Sequence, residues 1–123
     1  MAEILYIVVP CYNEDEVLDE TTKRLVDKLN RMRQLGKIDA ESRILYVDDG
    51  SSDNTWNHIE KLYEREPLVT GIKLSRNKGH QNALIAGLFE ASEHADMIVS
   101  MDADLQDDIE VLDKFVDEYY KGS

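Results

Sequence analysis

The 123 residues carry 14 Lys and Arg against 26 Asp and Glu, a net charge of −12. That length suits one domain with one hydrophobic core, and an apolar content of 42% excludes a disordered chain. So acidic a surface disfavours DNA, RNA or anionic lipid as a broad electrostatic partner, though not a phosphorylated ligand whose charge a metal offsets.

The single cysteine, Cys11, excludes an internal disulfide framework and fits a reducing compartment. Nothing within local reach of it in IVVPCYNE would serve as a base, so it reads as an unreactive thiol. No basic-then-apolar signal opens the sequence, and no apolar run approaches the roughly 20 residues that span a bilayer. A cytoplasmic domain is expected.

In chain order, ILYIVVP (4–10) is a β-branched run ended by proline and reads as a buried strand. Asn13 can cap the helix that follows, with Glu16 completing a pattern like a capping box. Leu18, Leu25, Leu29 and Met32 then recur at helical spacing until Gly36 stops the helix. The second unit is a strand RILYVDD (43–49), a turn GSSDN, and a helix with Trp56, Ile59 and Leu62 inward, ended by Pro67. A third strand, LVTGIKL (68–74), leads through SRNKGHQ into a helix carrying Leu84, Ile85, Leu88 and Phe89. The fourth strand is MIVSM (97–101), and the last helix carries Ile109, Leu112, Phe115, Val116 and Tyr119.

Strand and helix thus alternate four times, which implies an α/β, Rossmann-like parallel sheet covered on both faces, with strand order 3-2-1-4. Right-handed crossovers place every strand's carboxyl end along one edge, where open α/β sheets bind ligands. The polar clusters PCYNE, DDGSSDN, SRNKGHQ and DADLQDD all fall at that edge.

Each cluster has a functional and a plainer reading. Asp102 and Asp104 follow a strand with one small residue between them, so both carboxylates can reach one hard cation such as Mg²⁺ or Mn²⁺. Gln106 could add a third oxygen, whereas Asp107 and Asp108 read as helix-start charges. Asp48 and Asp49 end a strand, where carboxylates bond ribose hydroxyls or a base N–H, or simply cap a turn with Ser51, Ser52 or Asp53. Arg76 and Lys78 beside Gly79 suit a diphosphate at a helix start, but surface cations are common. His80 reads as a helix-start residue rather than a catalyst. Tyr12, Asn13 and Glu14 could wall a base pocket, although capping alone accounts for Asn13.

Taken together, VVPCYNE, YVDDGSSDNT, RNKGHQNALIAGL and MDADLQDD resemble, in order, the motifs of family 2 glycosyltransferases with a GT-A fold. The forms DADLQ and NKGHQNALIAGL look most like the polyprenyl-phosphate branch, which includes dolichol-phosphate mannosyltransferases and bactoprenol glucosyltransferases. The resemblance implies a donor site for a UDP- or GDP-sugar. Pro10, Tyr12, Glu14, Asp48 and Asp49 would hold base and ribose, and Lys78 would lie near the nucleotide or diphosphate. Asp102, Asp104 and Gln106 would hold the metal bridging the two phosphates. Members of the family run longer, with an acceptor-binding second half and, in many of this branch, C-terminal membrane helices. The chain is therefore expected to be a single nucleotide-sugar-binding domain (1–123), the N-terminal half of such an enzyme, with apolar surface left open to self-association. A receiver-type phosphoacceptor domain fails on spacing, because the acidic pair follows the second strand rather than the first. A non-catalytic nucleotide-binding module is the remaining alternative.

Overall fold

The computed structural model describes residues 2–75, 79–105 and 109–122. Its elements are β1 (Leu5–Cys11), a 3-10 turn (Asp15–Val17), α1 (Leu18–Gln34), β2 (Arg43–Asp48), α2 (Thr55–Arg65), β3 (Val69–Lys73), α3 (His80–Ser92), β4 (Met97–Ser100) and α4 (Val111–Tyr120). The four strands are parallel in the order β3-β2-β1-β4, as expected. Pairing Cys11 with Asp48 and Val8 with Ser100 brings the loops after β1, β2 and β4 to a common edge.

Side chains alternate along β1. Leu5, Ile7, Val9 and Cys11 point to one face, where Leu18, Leu25, Leu29 and Met32 of α1, Ile59 and Leu62 of α2, and Leu112 and Val116 of α4 cover them. Tyr6 and Val8 point the other way with Leu45 and Val47, and α3 lies on them. The helix-spaced residues named for α1 are at most 1% exposed. Gly36, at φ +75, ends α1 in a Schellman arrangement, with Lys37 N–H donating to the Met32 carbonyl and Gly36 N–H to that of Arg33. α2 stops at Arg65, before the extended residue that precedes Pro67. Lys28 is buried between α1 and α4, where its ammonium bonds Glu110 (2.7 Å) and Asp113.

One expectation is corrected, and α3 packs through a face that its large apolar residues do not mark. Asn13 does not cap α1: the 3-10 turn intervenes, no side chain caps the helix, and Asn13 bonds another loop instead. In α3 Leu84 packs half-buried against the sheet cluster, but the other large apolar residues do not form the buried face. Ile85, Leu88 and Phe89 are exposed, while Ala83, Gly87 and Ala91, spaced by four, lie against the sheet. The cause is clearance: a Cβ on Gly87 would come within 2.5 Å of Val8 Cγ1 and 2.8 Å of Val47 Cγ2.

That clearance is testable. Gly87→Ala gains about 1 kcal/mol of helix propensity, yet it forces a methyl onto two fully buried valines, where overpacking costs about 1–3 kcal/mol. Urea denaturation should show net destabilisation. A variant more stable than the parent would contradict the close approach.

Candidate functional site

The loops at the carboxyl edge enclose a cavity of about 350 Å³. Pro10, Cys11, Tyr12 and Glu14 reach it from the end of β1, and Asp49 from the end of β2. Gly79 and Ala83 line it from the start of α3, and Asp102, Ala103 and Asp104 from the loop after β4. Six of the predicted residues (Pro10, Tyr12, Glu14, Asp49, Asp102 and Asp104) thus meet in one space. Asp48 stands behind them. It is fully buried and is not part of the lining. Lys78 and Gln106 lie outside the described residues, as do Arg76, Asp107 and Asp108.

The walls are fixed by hydrogen bonds between loops. Asn13 adopts φ +54, a left-handed conformation that asparagine tolerates, and its Oδ1 accepts from Ser52 N–H (2.9 Å) and Asp53 N–H (3.3 Å). Its own N–H donates to Ser51 Oγ (2.9 Å), and Glu14 N–H donates to Thr55 Oγ1 (3.0 Å). Asp53 Oδ1 in turn accepts from Thr55 N–H and Oγ1, which keeps part of the turn chemistry expected there. Tyr12 and Glu14 are therefore held from the second loop. Asp49 Oδ2 accepts from Gly79 N–H (3.1 Å), joining that loop to the start of α3. Gly79 has φ +91 and ψ 150, a region open essentially to glycine alone.

Behind the lining, Asp48 Oδ1 accepts from Ser51 N–H (3.3 Å) and Oγ (2.5 Å). Its Oδ2 is buried with no hydrogen-bond partner among the described residues. Leaving such an acceptor unmet costs about 1–3 kcal/mol.

After β4, exposure alternates. Met101, Ala103 and Leu105 are buried, while Asp102 and Asp104 are exposed. Leu105 N–H closes a turn onto the Asp102 carbonyl (3.0 Å), with Leu105 at φ +51. For leucine that conformation costs about 1–2 kcal/mol, and the buried side chain holds it in place. The Ala103 carbonyl accepts a hydrogen bond from Thr21 Oγ1 of α1.

Charge in the cavity is one-sided. Burial, then the negative charges of Asp104, Asp102 and Asp53, push the Glu14 carboxyl up from its ordinary value. Among the described residues that line the cavity, none is basic. Asp102 and Asp104 are paired hard oxygen donors of the kind that Mg²⁺ or Mn²⁺ takes, and among the described residues no third acidic, His or Cys ligand atom joins them within 4.8 Å. Cys11 is no nucleophile. Its thiol is 2% exposed and pushed far up by burial, then by Glu14 and Asp48, so it stays protonated as expected. A tighter group, Glu90, Glu93 and His94 within 4.8 Å, sits at the other end of α3. There His94 Nε2 already bonds Glu90 Oε2 (3.1 Å) and its ring stacks on Tyr6.

Residues 6–123 match the family profile described as Glycosyl transferase family 2. The chain belongs to that family. This family 2 chain is 47% identical over 119 residues to YkoT, an uncharacterized glycosyltransferase of Bacillus subtilis (strain 168), covering 97% of this chain and 35% of that one. It is 34% identical over 117 residues to the bactoprenol glucosyl transferase of Shigella phage SfV (95% of this chain, 36% of that one). It is 36% identical over 117 residues to the dolichol-phosphate mannosyltransferase of Pyrococcus furiosus (95% and 30%). The chain spans about a third of the length of these curated relatives. Among solved structures, S. aureus TarS 1-349 in complex with UDP aligns with TM-score 0.67 at 22% identity, over 95% of this chain and 33% of that one. The mannosyltransferase PcManGT from Pyrobaculum calidifontis, with GDP-Man and Mn²⁺, aligns with TM-score 0.62 at 23% identity, over 85% and 28%. At such identities the likeness concerns the fold, and it bears out the GT-A type.

A residue outside the cavity lining also escaped sequence reasoning. His58 of α2 has Nδ1 at 2.8 Å from Asp15 Oδ1 and Nε2 at 2.7 Å from Asp19 Oδ1. Burial opposes its charge, but the hydrogen bonds to Asp19 and Asp15 outweigh it and raise its pKa. Asp19 is lowered chiefly by its bond to His58. No motif marks such a residue, because both partners lie about 40 positions away in the chain.

A raised histidine stabilises the fold fully below its unfolded value of about 6.5, and that part is lost as pH rises through its folded value. His58→Ala should therefore melt below the parent at pH 6, with the gap narrowing above pH 8. A gap independent of pH would mean that the ring acts by packing alone.

Proposed function

We propose that residues 1–123 form one nucleotide-sugar-binding domain of a glycosyltransferase that delivers the sugar to a polyprenyl phosphate. One observation carries this reading: Glu14, Asp102 and Asp104 meet, with Asp49, in one cavity at the sheet's carboxyl edge, with no described basic residue lining it. A cation and a phosphorylated ligand together answer that charge. Similarity to bactoprenol and dolichol-phosphate enzymes supports the lipid-phosphate acceptor.

Asp102 and Asp104, with Gln106, would hold Mg²⁺ or Mn²⁺. When bound, such an ion supplies Lewis-acid stabilisation to the departing nucleoside diphosphate. The chain's own part is positioning. Pro10, Tyr12 and Glu14 would wall the base and ribose, held by the Asn13 and Thr55 bonds described above. Asp49, fixed by Gly79 N–H, would accept from ribose hydroxyls or a base N–H, while Asp48, buried behind the lining, would brace that turn through Ser51. Lys78 would lie near the diphosphate. No described helix is long and apolar enough to cross a membrane. A lone buried thiol supports placing the domain in the cytoplasm.

The test is isothermal titration with UDP and GDP, with and without Mn²⁺. Asp102→Ala and Asp104→Ala should each weaken metal-dependent nucleotide binding about tenfold, roughly 1.4 kcal/mol. Asp107→Ala and Asp108→Ala should matter much less. Equal losses at all four positions, or metal-independent binding by the parent, would remove the basis of the reading. Sugar transfer measured beside binding separates this function from a nucleotide-binding module without chemistry.

Self-association belongs to the same proposal. Ile85 (61% exposed), Leu88 (37%) and Phe89 (71%) form a stripe on α3 suited to burial against a second copy. Light scattering at high concentration should give a mass above the monomer that Phe89→Glu lowers. Identical monomeric masses for both would refute it.

A further inference from the structure

We propose that Thr21 is the positioning residue for the Asp102 and Asp104 pair. The inference rests on the metal-binding reading of those aspartates and adds a residue that no motif assigns to it.

Thr21 lies on α1, 2% exposed, and its hydroxyl donates to the Ala103 carbonyl across 82 residues of sequence. That carbonyl belongs to the peptide unit joining Ala103 to Asp104. Its direction fixes how the backbone enters Asp104, and hence where that carboxylate leaves the chain. Around it, Ala103 (3% exposed) and Leu105 (8%) are sunk in the core, and Leu105 N–H closes on the Asp102 carbonyl. The two buried side chains set the alternation that turns both aspartates outward. Neither methyl nor isobutyl can fix the rotation of the peptide plane between them. A directional hydrogen bond can, and Thr21 supplies one.

α1 is anchored again further along. Two turns further on, Lys28 bonds Glu110 and Asp113, so the same helix holds both flanks of the metal-binding segment. Without the Thr21 hydroxyl, the Ala103 carbonyl would be left buried and short of a donor. Rotation of the peptide to find one would carry Asp104 with it. Hard cations need their carboxylates placed closely, and losing an outer-shell partner typically costs 10–100-fold in metal affinity.

The neighbouring threonine provides the control. Thr22, 3% exposed, bonds the Tyr46 hydroxyl at 2.6 Å and makes no hydrogen bond to the described residues of the aspartate loop. Thr21→Val and Thr22→Val thus remove one buried hydrogen bond each, in the same turn of the same helix. The experiment is Mn²⁺ binding followed by electron paramagnetic resonance, with the metal alone and with UDP or GDP, beside melting temperatures. Both valine variants should melt lower. Only Thr21→Val should lose Mn²⁺ affinity, about 10–100-fold, and Thr21→Ser should recover most of it. If Thr21→Val does not fold, Thr21→Ala against Thr21→Ser reads the same contrast. Parental Mn²⁺ affinity in Thr21→Val, or an equal loss in Thr22→Val, would overturn the positioning role while leaving the metal site standing. A parent that binds no Mn²⁺ under any of these conditions would overturn the metal reading itself, and this role with it.

Discussion

Carboxylates converge on one small cavity, and the rest of the molecule is arranged around keeping them there. Glu14, Asp49, Asp102 and Asp104 arrive from three loops, and the Glu14 carboxyl already registers the burial and the repulsion. Like charges in a partly dry space push apart unless the backbone beneath them is over-determined. Here it is. Asn13 ties the first loop to the second, Asp49 ties the second to α3, and Thr21 ties the fourth to α1. Each tie is a hydrogen bond between segments distant in sequence, so the cavity's shape depends on the whole sheet being formed.

The parallel order makes those ties available. With β1 central, its loop can reach β2's loop on one side and β4's on the other. The register that pairs Cys11 with Asp48 puts Asp49 N–H within 2.8 Å of the Cys11 carbonyl, continuing the ladder by one bond to the cavity floor. α1 then acts as a strut under the far wall, with Thr21 and Lys28 seven residues apart on one face. Lys28 gives up hydration to do this, which makes sense only because two carboxylates meet it.

What the sequence disclosed, and what it withheld, follows from the range of the interactions. Short β-branched runs and the repeated strand–helix unit disclosed the sheet, its order and the edge that carries the site. Gly36 disclosed a helix end, because a left-handed C′ position is a local matter. Asn13 misled for the same reason: capping chemistry looks three residues ahead, while its true partners are Ser52 and Asp53. Asp48 and Asp49 could not be told apart from an adjacent pair of letters, yet one is buried behind the turn and the other lines the cavity. Thr21 and His58 carry no motif at all, since their roles exist only once α1 lies beneath the loop after β4 and beside α2.

α3 connects packing to the site most directly. Hydrophobicity alone would have turned Ile85, Leu88 and Phe89 to the sheet, but that stripe is too bulky to approach Val8 and Val47 closely. Ala83, Gly87 and Ala91 let the helix settle lower, and Ala83 and Gly79 thereby become part of the cavity wall. The N-terminal end of a helix carries a partial positive charge, and α3 has no acidic residue in its first turn to cancel it. Among the described parts of the site, this helix end is the feature that favours an anion beside so many carboxylates. On the function proposed above, a phosphorylated ligand would meet a cation on one wall and a helix dipole on the other. The outward stripe is the cost of that close packing: it leaves apolar surface on the exterior while the start of α3 lines the cavity.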